Sequence, residues 1–245
     1  NLSDADSGAM IMIIFLKGCL KGLDGHFVSP YSSLTLPITG GDNVPDPRDD
    51  LVRPYCVRFR ARNQMITEDY YPEPLKEWYY QIHHTALDLE HPQLFNEKIC
   101  WLKLYGENIE LKTMLADKYK VKDWVGNRIG YDYVVQTYGV WDCFDEIVFD
   151  YLPNRFALKC NHGNGFNVLV YDKKKIDYKC LKKQFDEWMH INPAYKTLEL
   201  QYMNTEHKIL AEMLLTPDEG DMDLKDYKFF VFEGKVKLLP CRCVH

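Results

Sequence analysis

The segment that decides the fold of this chain reads Arg155-Phe-Ala-Leu-Lys-Cys-Asn-His-Gly-Asn-Gly-Phe-Asn-Val-Leu-Val-Tyr171. Two short apolar runs flank a small polar loop at residues 161–167, and this pattern predicts a β-hairpin. Gly163 and Gly165 lack a Cβ atom, so the backbone can adopt positive φ there and aim several N–H groups at one anion. Lys159 adds a positive charge beside the loop. The segment is therefore a candidate polyphosphate-binding site, although such a pattern is more often a loop that only connects two strands, with a lysine that faces solvent.

The composition is that of a folded globular protein. The chain has 245 residues, 46% of them hydrophobic, and a net charge of −6, which excludes a disordered protein and fits one large domain or two to three small ones. This charge also argues against a broadly basic surface that grips nucleic acid. The apolar run Met10 to Leu16 is too short to span a bilayer, so no transmembrane segment is predicted.

The eight cysteines form no Cys-x-x-Cys pair. Cys100, Cys160 and Cys180 lie inside apolar runs, where buried reduced thiols are expected, and this usage predicts a cytoplasmic protein. Cys241 and Cys243 have no further ligands at zinc-like spacing, so no metal site is assigned to them.

Helical periodicity dominates the region before the hairpin. It predicts a helix over residues 75–84, a second that Asn96 caps, and a third over residues 118–129, which Asp117 begins and Gly130 ends. After the hairpin, the sequence predicts one more helix followed by strands.

Asp177 is expected to cap a helix with one apolar stripe, and residues 208–215 are predicted to form a strand. That helix would pack on one face of the hairpin sheet, which gives the order strand, strand, helix, strand. Residues 226–232 read as a further strand that turns back over residues 235–239.

Five stretches between residues 95 and 239 form an ordered set. They are Phe95-Asn-Glu-Lys-Ile-Cys-Trp-Leu-Lys-Leu-Tyr105, Leu115-Ala-Asp-Lys-Tyr119, Gly139-Val-Trp-Asp142, Leu158-Lys-Cys-Asn-His-Gly163 and Asp226-Tyr-Lys-Phe-Phe230. In order and spacing the set resembles the TupA-like branch of the ATP-grasp family, which is linked to teichuronopeptide and other surface-polysaccharide gene clusters. The resemblance implies an α/β (α+β) fold of ATP-grasp type, incomplete here, with a helical N-terminal region and a small lid subdomain of antiparallel strands plus a helix.

The resemblance also divides the chain. It implies the N-terminal helical region over residues 66–153, the ATP-grasp lid subdomain over 154–215, and the start of a C-terminal lobe over 216–245. Residues 1–65 match none of these stretches and are interrupted by prolines and glycines, which predicts an unassigned, loosely structured leader. In the family the acidic Mg²⁺ ligands lie beyond the second-lobe strands. We therefore expect these ligands to be missing from this chain and the chain to lack full ligase activity.

The site residues come from the same resemblance. Lys159 and Lys228 are implied to be catalytic. The implied ATP contacts are Lys118, Lys159, Asn161, His162, Gly163, Asn164, Gly165, Glu212, Met213 and Leu214, of which the last three border the adenine. From the residues alone, Lys118 is better explained as an exposed lysine, although a cation in the first turn of a helix opposes the helix dipole unless an anion is nearby.

Enzymes of this fold transfer the γ-phosphate of ATP to a carboxylate, and an amine or another nucleophile then attacks the acylphosphate. The resemblance thus implies ATP and Mg²⁺ as cofactors, and a small carboxylate or a uronic-acid-containing glycan as substrate. Two alternatives stay open. Asp221-Met-Asp223 has the Asp-x-Asp shape of a glycosyltransferase that binds a sugar diphosphate, or the chain is a non-catalytic remnant of the fold.

Overall fold

The computed structural model describes residues 63–217 and the short segments 224–227, 229–232, 235–238 and 241–244. The predicted leader up to residue 62, the catalytic candidate Lys228, and the alternative pair Asp221 and Asp223 lie outside the described residues.

Four α-helices form between residues 63 and 130: α1 (Pro72–His83), α2 (Phe95–Tyr105), α3 (Ile109–Ala116) and α4 (Lys120–Ile129). Helices α1, α2 and α4 confirm the three predicted helices, and Gly130 ends α4 with a φ of 107°. Helix α3 was not predicted, because it is short and follows the turn-forming residues Gly106 and Asn108.

Helix α2 begins at Phe95, two residues earlier than a cap at Asn96 would place it. Asn96 was expected to cap it, but the carboxylate of Glu97 accepts hydrogen bonds from the N–H groups of Gln93 (2.9 Å) and Leu94 (2.8 Å). Glu97 thus satisfies the free N–H groups at this end of the helix, so Asn96 is not needed as a cap.

The centre of the fold is a four-stranded antiparallel sheet. It consists of β1 (Thr137–Trp141), β2 (Phe156–Cys160), β3 (Asn167–Val170) and β4 (Ile209–Met213), in the order β1-β4-β2-β3. Strands β2 and β3 confirm the predicted hairpin, and β4 confirms the predicted strand after it. The edge strand β1 comes from the segment before residue 154.

One face of this sheet is covered by helix α5 (Tyr178–Met189). Leu181 and Phe185 of α5 pack against Phe156, Leu158 and neighbouring apolar residues of the strands in one buried core. Burial of such side chains stabilises a fold by about 1.5–3 kcal/mol each. The cap is as predicted, because Asp177 accepts a hydrogen bond from the Cys180 N–H (3.0 Å).

The other face of the sheet has a different composition. Ala157 lies opposite Glu212, and Lys159 lies opposite both Leu210 and Asn167. Residues that pair across strands point to the same face, and alternate residues along a strand point to opposite faces. Lys159 and Glu212 therefore lie on the face away from α5, and this face positions the candidate site.

Beyond the sheet, β5 (Leu224–Tyr227) pairs with β8 (Cys241–Val244), and β6 (Phe230–Phe232) pairs with β7 (Lys235–Leu238). The predicted hairpin between the strands near residues 232 and 235 is confirmed. The strand predicted over residues 226–232 is divided between β5 and β6.

Burial corrects one prediction about the cysteines. Cys100 and Cys160 are buried as expected, but Cys180 is exposed because it precedes the buried stripe of α5 that begins with Leu181. Within the described part of the chain, α1 to α5 and the shorter helical turns fall short of the length and apolarity that a bilayer span requires.

Candidate functional site

Lys118 is placed by the turn that precedes α4. The carboxylate of Asp117 accepts hydrogen bonds from the N–H groups of Tyr119 (2.8 Å) and Lys120 (3.2 Å), so Asp117 fixes the turn that leads into α4, which begins at Lys120. Lys118 lies just before the helix and not in its first turn as predicted. Its own N–H donates to the Asn161 carbonyl oxygen (3.0 Å), which fixes this turn against the glycine loop.

The side chain of Lys118 reaches the same loop. Its Nζ donates to the carbonyl oxygens of Gly163 (2.5 Å) and Asn161 (3.4 Å). Burial and, after it, the nearby charge of Lys159 together lower the pKa of Lys118 to about 8. An anion placed between these two lysines would favour the charged form of Lys118. The structure thus brings together two lysines that are far apart in the sequence.

Glu212 stands at the centre of this cluster of lysines. Its side chain is only 5% exposed, and it forms ion pairs with Lys122 (2.8 Å) and with Lys159. Lys122 also donates to the Val135 carbonyl oxygen (2.6 Å). Lys122 was not among the predicted site residues; it lies in the first turn of α4, four positions after Lys118.

The loop between β2 and β3 has a buried base and an exposed tip. Gly163 and Gly165 have φ values of 67° and 77°, as their lack of a Cβ atom allows. Asn164 and Gly165 are exposed, whereas Asn161 and His162 are fully buried. Main-chain groups at the tip are therefore the part of the loop that a ligand can reach.

The side chain of Asn161 is committed to contacts within the protein. Its Nδ2 donates to the Asp117 carboxylate (3.0 Å) and to the Glu206 carbonyl oxygen (2.8 Å), and its Oδ1 accepts from the Lys208 N–H (2.8 Å). Asn161 thus joins the loop to the Lys118 turn and to the segment that leads into β4.

His162 anchors the loop on the other side. Its Nε2 donates to the Trp188 carbonyl oxygen (3.2 Å) at the end of α5, and its ring stacks on His207 at 3.6 Å between centroids. Burial and, after it, the neighbouring His207 together lower the pKa of His162 to about 4. The ring is neutral near pH 7, so it shapes the loop and adds no positive charge.

The turn, the loop and the polar face of the sheet together form one cationic site, on a sheet whose other face is closed by a helix. A family model described as TupA-like ATPgrasp matches residues 97–241. The chain belongs to the TupA-like ATP-grasp family. No curated protein and no solved structure matches the chain.

The residues expected to border the adenine are Glu212, Met213 and Leu214. Met213 and Leu214 are half-buried at the end of β4. The N–H of Met213 donates to the Gln136 carbonyl oxygen (2.9 Å), so this group is used within the protein. The Glu212 carboxylate contacts the two lysines described above.

ATP-grasp proteins in general use Mg²⁺ with ATP, so side chains that could coordinate Mg²⁺ are relevant to this site. Among the residues that the structure describes, no group of three or more His, Cys, Asp and Glu side chains is arranged to hold a metal ion. These residues do not fit Mg²⁺.

Proposed function

We propose that this chain binds ATP with its phosphates between Lys118, Lys159 and the exposed tip of the glycine loop. The observation that carries the proposal is that Lys118, which donates to the loop carbonyl of Gly163, lies within electrostatic reach of Lys159, which pairs with Asn167 at the end of the loop. Phosphate groups are negatively charged and would neutralise these lysines, and glycine main-chain N–H groups are well suited to bind them. The half-buried Met213 and Leu214 would border the adenine.

The reaction that this arrangement supports best is the ATP-dependent ligation of a carboxylate to an amine. A carboxylate oxygen attacks the γ-phosphorus, the bond to the bridging oxygen breaks, and ADP leaves. The amine nitrogen then attacks the acyl carbon of the acylphosphate, inorganic phosphate leaves with the former carboxylate oxygen, and the nitrogen releases a proton as the amide forms. We assign Lys159 and Lys228 to this chemistry.

Lysines suit such a reaction because phosphoryl transfer depends mostly on positioning and on neutralising charge. Lys159 extends from a strand that is hydrogen-bonded on both sides, so its backbone is held in place. Lys118 is tied to the loop by its main chain and its side chain. We infer a role in surface-polysaccharide synthesis of the teichuronopeptide type, with a small carboxylate or a uronic-acid-containing glycan as substrate.

Nucleotide binding by the purified chain tests the proposal. Isothermal titration calorimetry with ATP, ADP and AMP should show that affinity falls as phosphates are removed. Lys118→Met and Lys159→Met should each weaken ATP binding by about tenfold or more, since each removes a charge-assisted contact of about 1.5–3 kcal/mol. Lys175→Met is the matched control, because Lys175 is exposed on a different part of the surface.

Three results would contradict the proposal. If neither ATP nor ADP binds or raises the melting temperature at millimolar concentration, the chain is a non-catalytic remnant of the fold. If a UDP-sugar binds saturably and ATP does not, the glycosyltransferase alternative is correct. If Lys175→Met weakens ATP binding as much as Lys159→Met does, the effect is one of net charge and not of this site.

A further inference from the structure

Glu212 is an unexpected residue in a site for phosphates. A carboxylate repels a phosphate group, yet this one lies on the polar face of the sheet and is 5% exposed. Its two oxygens are divided between two cations, with Oε1 on Lys122 and Oε2 on Lys159. A buried carboxylate that lost both partners would be strongly destabilised, so at least one of them has to remain.

The two lysines differ in how firmly they are held. Lys122 contacts a second protein group, the Val135 carbonyl oxygen at 2.6 Å, and its side chain is 14% exposed. The side chain of Lys159 is 26% exposed, and its charge lowers the pKa of Lys118 more than any other charge does. Lys159 is therefore the partner that can turn to a ligand, and Lys122 is the partner that stays.

We propose that Glu212 and Lys122 are positioning residues that act by counterion exchange. Without a ligand, Glu212 holds the Lys159 ammonium on the sheet. When a triphosphate enters, Lys159 leaves Glu212 for the phosphate, and Lys122 keeps Glu212 neutralised. This inference rests on the proposed function, because it assigns the anion that replaces Glu212 as the phosphate chain of the nucleotide.

Counterion exchange predicts that Lys122→Met and Glu212→Gln change the affinity for the ligand in opposite directions. Lys122→Met leaves Glu212 with Lys159 as its remaining cation, so Lys159 is retained and the ligand is bound more weakly. Glu212→Gln removes the competing negative charge, so Lys159 is released to the ligand. In the double variant there is no carboxylate left to retain Lys159, so the loss caused by Lys122→Met should disappear.

The experiment is isothermal titration calorimetry of the full chain with inorganic tripolyphosphate and, separately, with ATP. For tripolyphosphate we expect about tenfold weaker binding for Lys122→Met and several-fold tighter binding for Glu212→Gln, with the double variant close to Glu212→Gln. Lys122→Arg keeps the positive charge and its donors, and it should bind like the wild type. Circular dichroism checks that each variant is folded. If Glu212→Gln does not fold, the inference is tested by comparing the tripolyphosphate affinities of Lys122→Arg and Lys122→Met.

Any of three results would overturn the inference. These are weaker tripolyphosphate binding by Glu212→Gln, additive losses of affinity in the double variant, and equal binding by Lys122→Arg and Lys122→Met. The two ligands separate it from the proposed function. If ATP binds and the variants do not follow the expected order, counterion exchange is wrong and the nucleotide site stands. If tripolyphosphate binds in the expected order and ATP does not, counterion exchange stands and the ATP proposal fails.

Discussion

Acid should destabilise this protein through the histidine that anchors the glycine loop. His162 is fully buried; its Nε2 donates to the Trp188 carbonyl oxygen (3.2 Å), and its Nδ1 lies 3.3 Å from Asn161 Oδ1. Its ring stacks on His207 at 3.6 Å with an angle of 9° between the planes. A second proton would place a charge in this stack without water, and burial and His207 together lower the pKa of His162 to about 4.

The sign and size of the effect follow from linkage. In the unfolded chain the pKa of a histidine is about 6.5, so between pH 6.5 and pH 4 the unfolded state binds more protons than the folded state. Stability is therefore complete above pH 6.5 and is lost as the pH falls toward 4. At about 1.4 kcal/mol per pKa unit, the upper limit of the loss is about 3 kcal/mol, and residual solvation reduces it.

Urea denaturation, followed by tryptophan fluorescence at several pH values between 7.5 and 4.5, measures this loss. The matched variant is His162→Gln, which cannot be protonated and keeps a hydrogen-bond donor for the Trp188 carbonyl oxygen. Carboxylates lose stability with acid in both proteins, so the informative quantity is the difference between the two pH profiles. The wild type should lose about 1–3 kcal/mol more than the variant over this range. Parallel profiles would refute the reasoning.

Two further predictions concern the core and the loop. Phe185→Ala should lower the free energy of unfolding by about 3–5 kcal/mol, because Phe185 is fully buried between α5 and the sheet and its removal leaves a cavity; a loss below about 1 kcal/mol in urea denaturation would contradict this. Gly163→Ala should cost about 1–2 kcal/mol in the same assay, because φ is 67° there. The added Cβ would also lie 2.9 Å from the Phe166 ring, so ATP binding should weaken as well; unchanged stability and affinity would show that the loop tolerates a side chain.

The local part of the fold was predictable from short patterns. The hairpin over β2 and β3 follows from two apolar runs and a loop with glycines at residues 163 and 165, and both glycines have the positive φ that the pattern allows. Helix α5 follows from its apolar stripe and from the cap at Asp177. These features depend on neighbouring residues, so the sequence contains the information that forms them.

Other features depend on contacts between distant residues. Asn161 and His162 belong to a polar loop, and their side chains are buried because the Asp117 turn, the end of α5 and the residues before β4 close around them. Within the described residues, the ion pairs of Glu212 exist because the register of β4 places its carboxylate beside Lys122 and Lys159. Residue spacing cannot specify such pairs.

By itself, the sequence determined most of the helices and strands, their order and the family, because periodicity, turn residues and motif order are properties of the chain. The tertiary structure decided which side chains meet. Lys122 became part of the site, Asn161 and His162 became supports of the loop, and Glu212 became the counterion of two lysines. The physical reason is that burial and charge pairing are set by the packing of elements that are remote in sequence.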